Sequence, residues 1–388
     1  MNLHEYQAKA VLRDYGFPFP KAGVAVTAEG ATARAKEVGG SAWAVKAQVH
    51  AGRRGKAGGV RIVHSPEEAG QAAAEMLGTR IVTEQTGRDG LPIRKVYVEE
   101  ALQVAREIYA AVLVNRSQAK VSVIVSANGG EDVETALTRS DQLFEMELNG
   151  APDESQRARL AEFLGLPGDT AAAVADLLAQ AKRAFIELDA SLIELNPLVL
   201  TTGGALAVLD VKMVLDDNAL MRHPNLVQLR DEEEVDPQEL EAGRYELNYV
   251  RLDGDIGVLV TGAGLGLAVL DLIKEGGGDT ANFMDVRPVA SRDQVAEGFR
   301  LLLTDARVSV VLVIAMGGGI LRCDTIAEGL AAAIRRTGSP LPVVYHAAGT
   351  GKEISEMVLR NQGFAVTLTD SIEEAAHEAL RISRMRAA

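Results

Sequence analysis

A single cysteine, Cys323, occurs in 388 residues. That excludes an intramolecular disulfide framework and any multi-cysteine metal site, and it fits a reducing compartment. Positive charge is also short: 54 acidic residues face 40 basic ones, for a net charge of −14. Nucleic-acid binders normally carry a basic surface, so no nucleic-acid partner is expected. Long apolar runs are missing too. The most apolar stretch, near Val308–Met316, is about half a bilayer span, so no membrane partner is expected. MNLHEYQAKA at the N-terminus has no apolar signal core, and the chain reads as cytoplasmic. The six histidines include no pair at a ligand spacing such as H-x-x-x-H. His346, just before AAGTG, has the most site-like setting of them, although a satisfied structural histidine is the commoner meaning of a lone one. No G-x-S-x-G elbow occurs.

What is present is the composition of a soluble globular protein, 47% hydrophobic and 24% charged, with a length that suits two domains. The polar stretch 218–248, with DEEEVDP inside it, reads as a solvated linker. The domains are therefore placed at 1–238 and 239–388. Leu3, Tyr6, Ala10 and Val11 follow helical spacing, with Asn2 as the expected N-cap. AVKAQV and VRIV read as strands around a glycine-rich loop, and Ser65-Pro66-Glu67 as a helix start. EIYAAVLVN and KVSVIVS read as an antiparallel pair turning near Arg116–Gln118. A helical stretch is expected over 153–189. After residue 250, strand-like runs beginning near Ile256, Ala281, Val308, Leu341 and Phe364 alternate with amphipathic helices. Five such units imply a parallel, doubly wound sheet, which binds ligands at the carboxyl ends of its strands.

The loop KAQVHAGRRGKAGG, residues 46–59, packs four glycines and four cations into fourteen positions. Glycines let backbone N–H groups point at an oxyanion, and lysine or arginine adds charge. The spacing is not that of a P-loop. Lys46 could reach a nucleotide phosphate; a solvated surface turn is the alternative. In LIELNPLVL–TTGG–ALAVLDVKM, a turn centred on Gly203 sets Asn196 opposite Asp210 and Glu194 opposite Lys212. These four form one polar face, while Ile193, Leu195, Leu209 and Val211 point into a core. An amide oxygen beside a carboxylate suits Mg²⁺, although a salt-bridged solvent face has the same pattern. Glu99 and Glu107 flank a turn between strands, where carboxylates can receive ribose hydroxyls and an adenine amino group; surface charge is the commoner meaning. In the second half, glycine turns follow strands at VTGAGLG and AMGGGI, each before a helix, and such helix starts are ready anion sites. GAGLGL lacks the third glycine of a dinucleotide fingerprint at the right spacing. No acidic residue is expected to end a second strand about twenty positions later, so NAD is not expected.

MNLHEYQAK, KAQVHAG-x-RGKAGG, ELNPL followed by LD-x-K, DDNAL-x-RHP, LNYV-x-LDG-x-IG, GAGL and ANF-x-DV, in this order, resemble the β subunit of succinyl-CoA synthetase (succinate–CoA ligase) over nearly the whole chain. The resemblance implies an α/β protein with an N-terminal ATP-grasp domain and a C-terminal flavodoxin-like domain. It implies nucleotide (ATP or GTP) contacts at Lys46, Arg53, Arg54, Gly55, Glu99, Leu102 and Glu107, and Mg²⁺ at Asn196 and Asp210. Glu194 is implied as the acid that orients a phosphorylated histidine. That histidine and the CoA site belong to an α subunit, the expected partner. The reaction implied is reversible formation of succinyl-CoA from succinate, CoA and nucleotide, a step of the tricarboxylic acid cycle. The dicarboxylate is implied to bind near Thr261, Gly319, Ile320 and Leu321.

Departures from the family pattern cluster there. Thr261 stands where the family usually has Asn, Arg287-Pro288-Val289-Ala290 where it has GGGA, IAMGGGI where it has NIFGGI, and His346 where it has Arg. In the loop, Arg53 replaces Gly or Ala. One lost hydrogen bond to a charged carboxylate costs about 1.5–3 kcal/mol, unless Arg287 or His346 compensates. The β subunit of a ligase for another small carboxylate, such as malate, is the alternative.

Overall fold

The computed structural model describes residues 1–86, 90–130, 143–148 and 150–387. It divides into two compact units, Met1–Glu234 and Val235–Ala388.

The first unit holds two main sheets. A four-stranded antiparallel sheet runs in the order Ala22–Ala25, Val96–Glu100, Trp43–Ala47, Val60–Val63. Helices Ala28–Val38 and Pro66–Met76 contribute Ala31, Ala35, Ala69 and Ala73 to a core with Val45, Val96 and Val98 from the strands. Ser65 caps the second of these helices, its hydroxyl accepting from Glu68 N, as the Ser-Pro-Glu signal predicts. The larger sheet carries the hairpin. Ala190–Thr201 is flanked by Val104–Asn115 on one side and by Leu206–Val208 and Val211–Leu215 on the other. Val104–Asn115 pairs in turn with Lys120–Ser126 through Asn115↔Lys120, the turn expected at Arg116–Gln118. Glu154–Leu164 and Gly168–Glu187 supply Leu160, Leu178 and Phe185 to this sheet's core. The helical stretch foreseen over 153–189 is thus two helices, separated at Gly165, whose φ of 60° ends the first.

Three further expectations are corrected in this unit. The first helix starts at Glu5, with His4 as N-cap and Gln7 closing a capping box, because Asn2 and Leu3 pair as a short strand with Val214 and Met213. Leu209 is only half-buried, since the pairing of the hairpin is interrupted between Val208 and Val211. The acidic run is not a solvated linker: a turn at Glu232–Glu234 directs Asp231 and Glu234 inward, with side chains only 10% and 5% exposed.

The second unit is one six-stranded sheet in the order Asn248–Arg251, Asn282–Asp285, Ile256–Val260, Val310–Gly317, Val343–Gly349, Val366–Thr369. The last five are parallel and follow chain order 2-1-3-4-5, the flavodoxin-like winding. The first is an antiparallel edge strand absent from the sequence reading. Both sheet faces are covered. Along the central strand, Val311, Val313 and Ala315 join a core with Phe299 and Leu330, while Val310, Leu312 and Ile314 join another with Val269 and Ala379. That period of two with every residue apolar is what a doubly covered parallel strand requires. Gly266 is needed where the helix Ala263–Glu275 crosses Phe283, because a Cβ there would lie 2.5 Å from that ring.

Candidate functional site

The hairpin register is the one expected. Glu194 faces Lys212, Leu195 faces Val211, and Asn196 N donates to Asp210 O at 3.1 Å. Ile193, Leu195 and Val211 are buried, whereas Glu194, Asn196 and Asp210 are half-buried and Lys212 is exposed.

Against this face comes the start of the glycine-rich loop. Lys46, on the strand Trp43–Ala47, donates from Nζ to Glu5 Oε1 at 3.1 Å, to Glu99 and to Leu209 O at 2.7 Å. Lys9, fully buried, reaches the same carbonyl at 2.7 Å, Glu5 at 2.9 Å and the other oxygen of Glu99. Arg54 Nη2 bridges Glu5 Oε2 at 2.8 Å and Asp210 Oδ2 at 2.9 Å, and its Nη1 donates to Ala47 O at 2.6 Å. Three cations therefore meet three carboxylates in one network that spans loop, first helix and hairpin. Burial alone would push the Glu5 carboxyl up, but the charges of Lys46, Lys9 and Arg54 together hold it well below the usual carboxylate range. Burial would likewise depress Lys46 and Arg54; Glu5 and Asp210 beside both, and Glu99 beside Lys46, raise them instead.

Asn196 is held by a backbone clasp. Its Oδ1 accepts from Gly130 N at 2.7 Å and its Nδ2 donates to Gly130 O at 3.2 Å. Glu107, exposed on the adjoining strand, lies against the same glycine, where an added Cβ would collide with its carboxylate. Glu194 accepts a hydrogen bond from the buried Tyr109, whose phenol is pushed up by burial and then by that carboxylate's charge. Glu99 is 1% exposed and ion-paired on both oxygens. Gly55 is exposed in the turn that Gly59 N→Arg54 O (2.7 Å) closes. Arg53 adopts a left-handed φ of 58° and pairs with Glu84, and Leu102 is half-buried between strands.

Sequence reasoning missed Lys9, Glu5 and Tyr109. Glu5 reads as the acid three positions after the expected N-cap Asn2, Lys9 as an ordinary residue of the helix, and Tyr109 as one of several residues in an apolar strand. For Glu5 and Lys9 the one signal is an acid and a lysine four apart on one helix.

In the second unit the turns are built from backbone. Gly318 N donates to Leu321 O at 2.8 Å, which places Gly319 and Ile320 outside and Leu321 in the core. Gly317 and Gly349 are the last paired residues of their strands, and a Cβ on either would strike backbone. The Thr261 hydroxyl accepts from Met316 N at 2.7 Å and donates to Met316 O at 3.3 Å. Arg287 pairs with Glu246, and His346 is buried with Nδ1 3.0 Å from Thr369 O. Asp285 does end the strand after the first glycine turn, contrary to the sequence reading, but Gly262 N takes its Oδ1 at 2.6 Å.

The donor set fits Mg²⁺: an amide oxygen and a half-exposed carboxylate, both hard oxygens, next to a cationic loop. Family models extend the pattern to a class of protein. Residues 2–200 match the ATP-grasp domain and 259–380 the CoA-ligase domain. A protein of Parvibaculum lavamentivorans named succinate–CoA ligase [ADP-forming] subunit beta is 42% identical over 384 residues, covering 98% of each chain. One of the same name from Thioalkalivibrio sulfidiphilus is 46% identical over 380 residues, covering 97% of this chain and 98% of that one. An ATP citrate lyase from Methanothrix soehngenii, solved with citrate and coenzyme A, shares the fold with a TM-score of 0.75 at 16% identity, over 98% of this chain and 99% of that one. The chain belongs to the family of succinate–CoA ligase β subunits, which are parts of acid–thiol ligases. No helix among the described residues is long and apolar enough to cross a membrane.

Proposed function

We propose that this chain is the nucleotide-binding subunit of a succinate–CoA ligase that works with an α subunit carrying the phosphorylated histidine and the CoA site. The observation that carries the reading is the Arg54 bridge between Glu5 and Asp210, which joins the glycine-rich loop to the oxygen-bearing hairpin. Lys46, Arg54 and the loop around Gly55 meet the triphosphate. Glu99, Leu102 and Glu107 lie toward its nucleoside end, and Arg53 extends the loop's charge. With three cations already balanced by three carboxylates, a polyphosphate adds uncompensated negative charge. Asn196 and Asp210 would hold Mg²⁺, which when bound neutralises phosphate oxygens. Glu194, oriented by Tyr109, receives the imidazole of the partner's histidine and stabilises its positive form while phosphate is transferred. The dicarboxylate is assigned to the glycine turns at Thr261 and Gly319–Leu321.

A ligase for another small carboxylate is the second reading. It is favoured by the Thr261 hydroxyl, which is spent on both polar atoms of Met316. Co-expression with an α-type chain, followed by nucleotide-dependent thioester formation over a panel of small acids, separates the two. Succinate is expected to be the best substrate. Activity on malate with none on succinate would replace the first reading by the second, and no thioester from any acid would overturn both.

A further inference from the structure

One buried cation takes no part in the ligand contacts assigned above. Lys9, on the first helix, is 0% exposed, out of reach of any nucleotide, ion or partner chain. Its ammonium has three protons and finds three acceptors. It donates to Leu209 O at 2.7 Å, pairs with Glu5 Oε1 at 2.9 Å and donates to Glu99 Oε1. The rings of Phe19 and Tyr97 close over it, with centroids 5.7 and 5.3 Å from Nζ. Glu5 and Glu99 already share Lys46, and Glu5 has Arg54 besides. What Lys9 adds is a second hold on the Leu209 carbonyl.

That carbonyl is orphaned by the sequence. The hairpin pairs Leu195 with Val211 and Leu198 with Val208, so Pro197 faces Leu209. Leu209 N donates to Pro197 O at 3.0 Å. The return bond of an antiparallel pair would come from the N–H of Pro197, and proline has none. A carbonyl left unpaired beside a core is costly. Lys9 and Lys46 both reach it at 2.7 Å, one from the first helix and one from the strand Trp43–Ala47. The place matters because the next residue is Asp210. The Leu209 carbonyl and the Asp210 Cα lie in one planar peptide unit. Fixing the oxygen fixes the plane, and the plane sets the direction in which Asp210 leaves the backbone. Asn196 N holds Asp210 O at 3.1 Å on the far side. Asp210 Oδ1 accepts from Val211 N at 2.8 Å, and Oδ2 is turned to the loop, where Arg54 reaches it at 2.9 Å.

We infer, on the reading of Asn196 and Asp210 as Mg²⁺ ligands, that Lys9 is a positioning residue for Asp210: by pinning the Leu209 carbonyl where proline withholds a ladder donor, it holds the carboxylate beside Asn196 in the orientation that accepts the ion. Lys46 cannot do this alone, because it is also assigned to the triphosphate. A phosphate that draws Lys46 toward it loosens its hold on Leu209 at the moment the ion is to be gripped. Lys9 has no second duty and stays in place. The two lysines on one carbonyl thus divide the work, Lys46 answering to the ligand and Lys9 to the hairpin. Mg²⁺ demands near-ideal octahedral geometry, so a small turn of one carboxylate weighs on its affinity. Loss of a group that orients a metal ligand typically costs about 10–100-fold in metal affinity.

The test reads the Mg²⁺ dependence of ATP binding to the full chain, as the ratio of dissociation constants without and with the ion. A substitution that merely lowers the folded fraction changes both constants together and leaves the ratio alone. In Lys9→Met, of similar length but without a donor, the ratio should fall by about 10-fold or more, chiefly through the constant measured with Mg²⁺. Leu160→Ala, in the core of the same sheet, should cost stability and keep the wild-type ratio. The charge-balanced Lys9→Met/Glu5→Gln variant sets Lys46 and Arg54 against Glu99 and Asp210, and it should repeat the fall even if Lys9→Met folds poorly. With Mn²⁺ in place of Mg²⁺, the EPR line shape of the ATP complex should change in Lys9→Met and not in Leu160→Ala. A wild-type ratio kept in both Lys9 variants, or an equal fall in Leu160→Ala, would overturn the positioning role and leave the metal seat standing. Absence of any Mg²⁺ dependence in the wild type would remove the metal seat, and the role of Lys9 with it.

Discussion

The two units arrange their charged and polar groups by opposite means. In Met1–Glu234, charged side chains at positions 5, 9, 46, 54 and 99 are buried, and they pair with one another and with the half-buried Asp210. In Val235–Ala388, the turns at Gly262 and Gly317–Gly319 offer backbone, and the charged groups near them are spent locally: Asp285 on Gly262 N, Arg287 on Glu246. The first arrangement is neutral overall, three cations against three carboxylates. The second presents mainly backbone, with the Thr261 hydroxyl spent on Met316. The two arrangements should therefore respond differently to mutation.

The largest expected effect breaks the first arrangement. Lys46→Met leaves Glu99 and Glu5 short of one partner, and breaking a buried ion pair from one side costs about 3–5 kcal/mol. Urea unfolding of the full chain should show the loss in the first transition, with nucleotide binding gone. An unchanged midpoint would mean that the network is not preorganised. Glu5→Gln is expected to cost somewhat less, because Glu99 and Asp210 remain, and it carries a pH signature. The Glu5 carboxyl is depressed in the folded chain, so its contribution is present in full above the unfolded value of about 4.3 and is lost as pH falls further, through the folded value. The stability gap between wild type and Glu5→Gln should be constant near neutrality and should close in acid. A gap that widens in acid would reverse the assignment.

The second unit should respond to bulk rather than charge. Gly266→Ala drives a Cβ into Phe283, an overpacking worth about 1–3 kcal/mol, and calorimetry should place it in the second unit while nucleotide affinity is unchanged. The smallest effect is expected at Arg53. Its left-handed φ of 58° costs an L-residue about 1–2 kcal/mol, part of which glycine's greater chain entropy and the lost Glu84 pair cancel. Arg53→Gly should therefore stabilise the chain slightly while reducing nucleotide affinity. A destabilised variant would show that the arginine's contacts outweigh its backbone strain.

The parts that were legible in the sequence are those governed by short range. The TTGG turn sets the hairpin register, so Asn196 and Asp210 could be placed side by side from the alternation of ELNPL and LDVK. The central parallel strands Ile256–Val260 and Val310–Gly317 announce themselves because each is apolar on both faces. What was hidden depends on contacts across long stretches of chain. Lys9 meets Leu209, and His4 meets Asp231, through tertiary packing that no spacing rule encodes. Asn2 looked like an N-cap because its composition suits one, yet pairing with Val214 draws it into a sheet instead. The acidic run looked solvated because its composition is, while only Glu232 and Glu233 face water and Asp231 and Glu234 turn in. Residues-by-type reasoning therefore set Asn196 beside Asp210 and missed the stacked histidines His4 and His50, whose meeting is made by the fold.

Calorimetric titration of ATP into the full chain, with and without Mg²⁺, for the wild type and Asp210→Ala, tests the nucleotide seat most directly. Mg²⁺ is expected to tighten ATP binding to the wild type and to leave Asp210→Ala unaffected. An equal Mg²⁺ dependence in both would contradict the placement of the metal and nucleotide between the cationic loop and the hairpin.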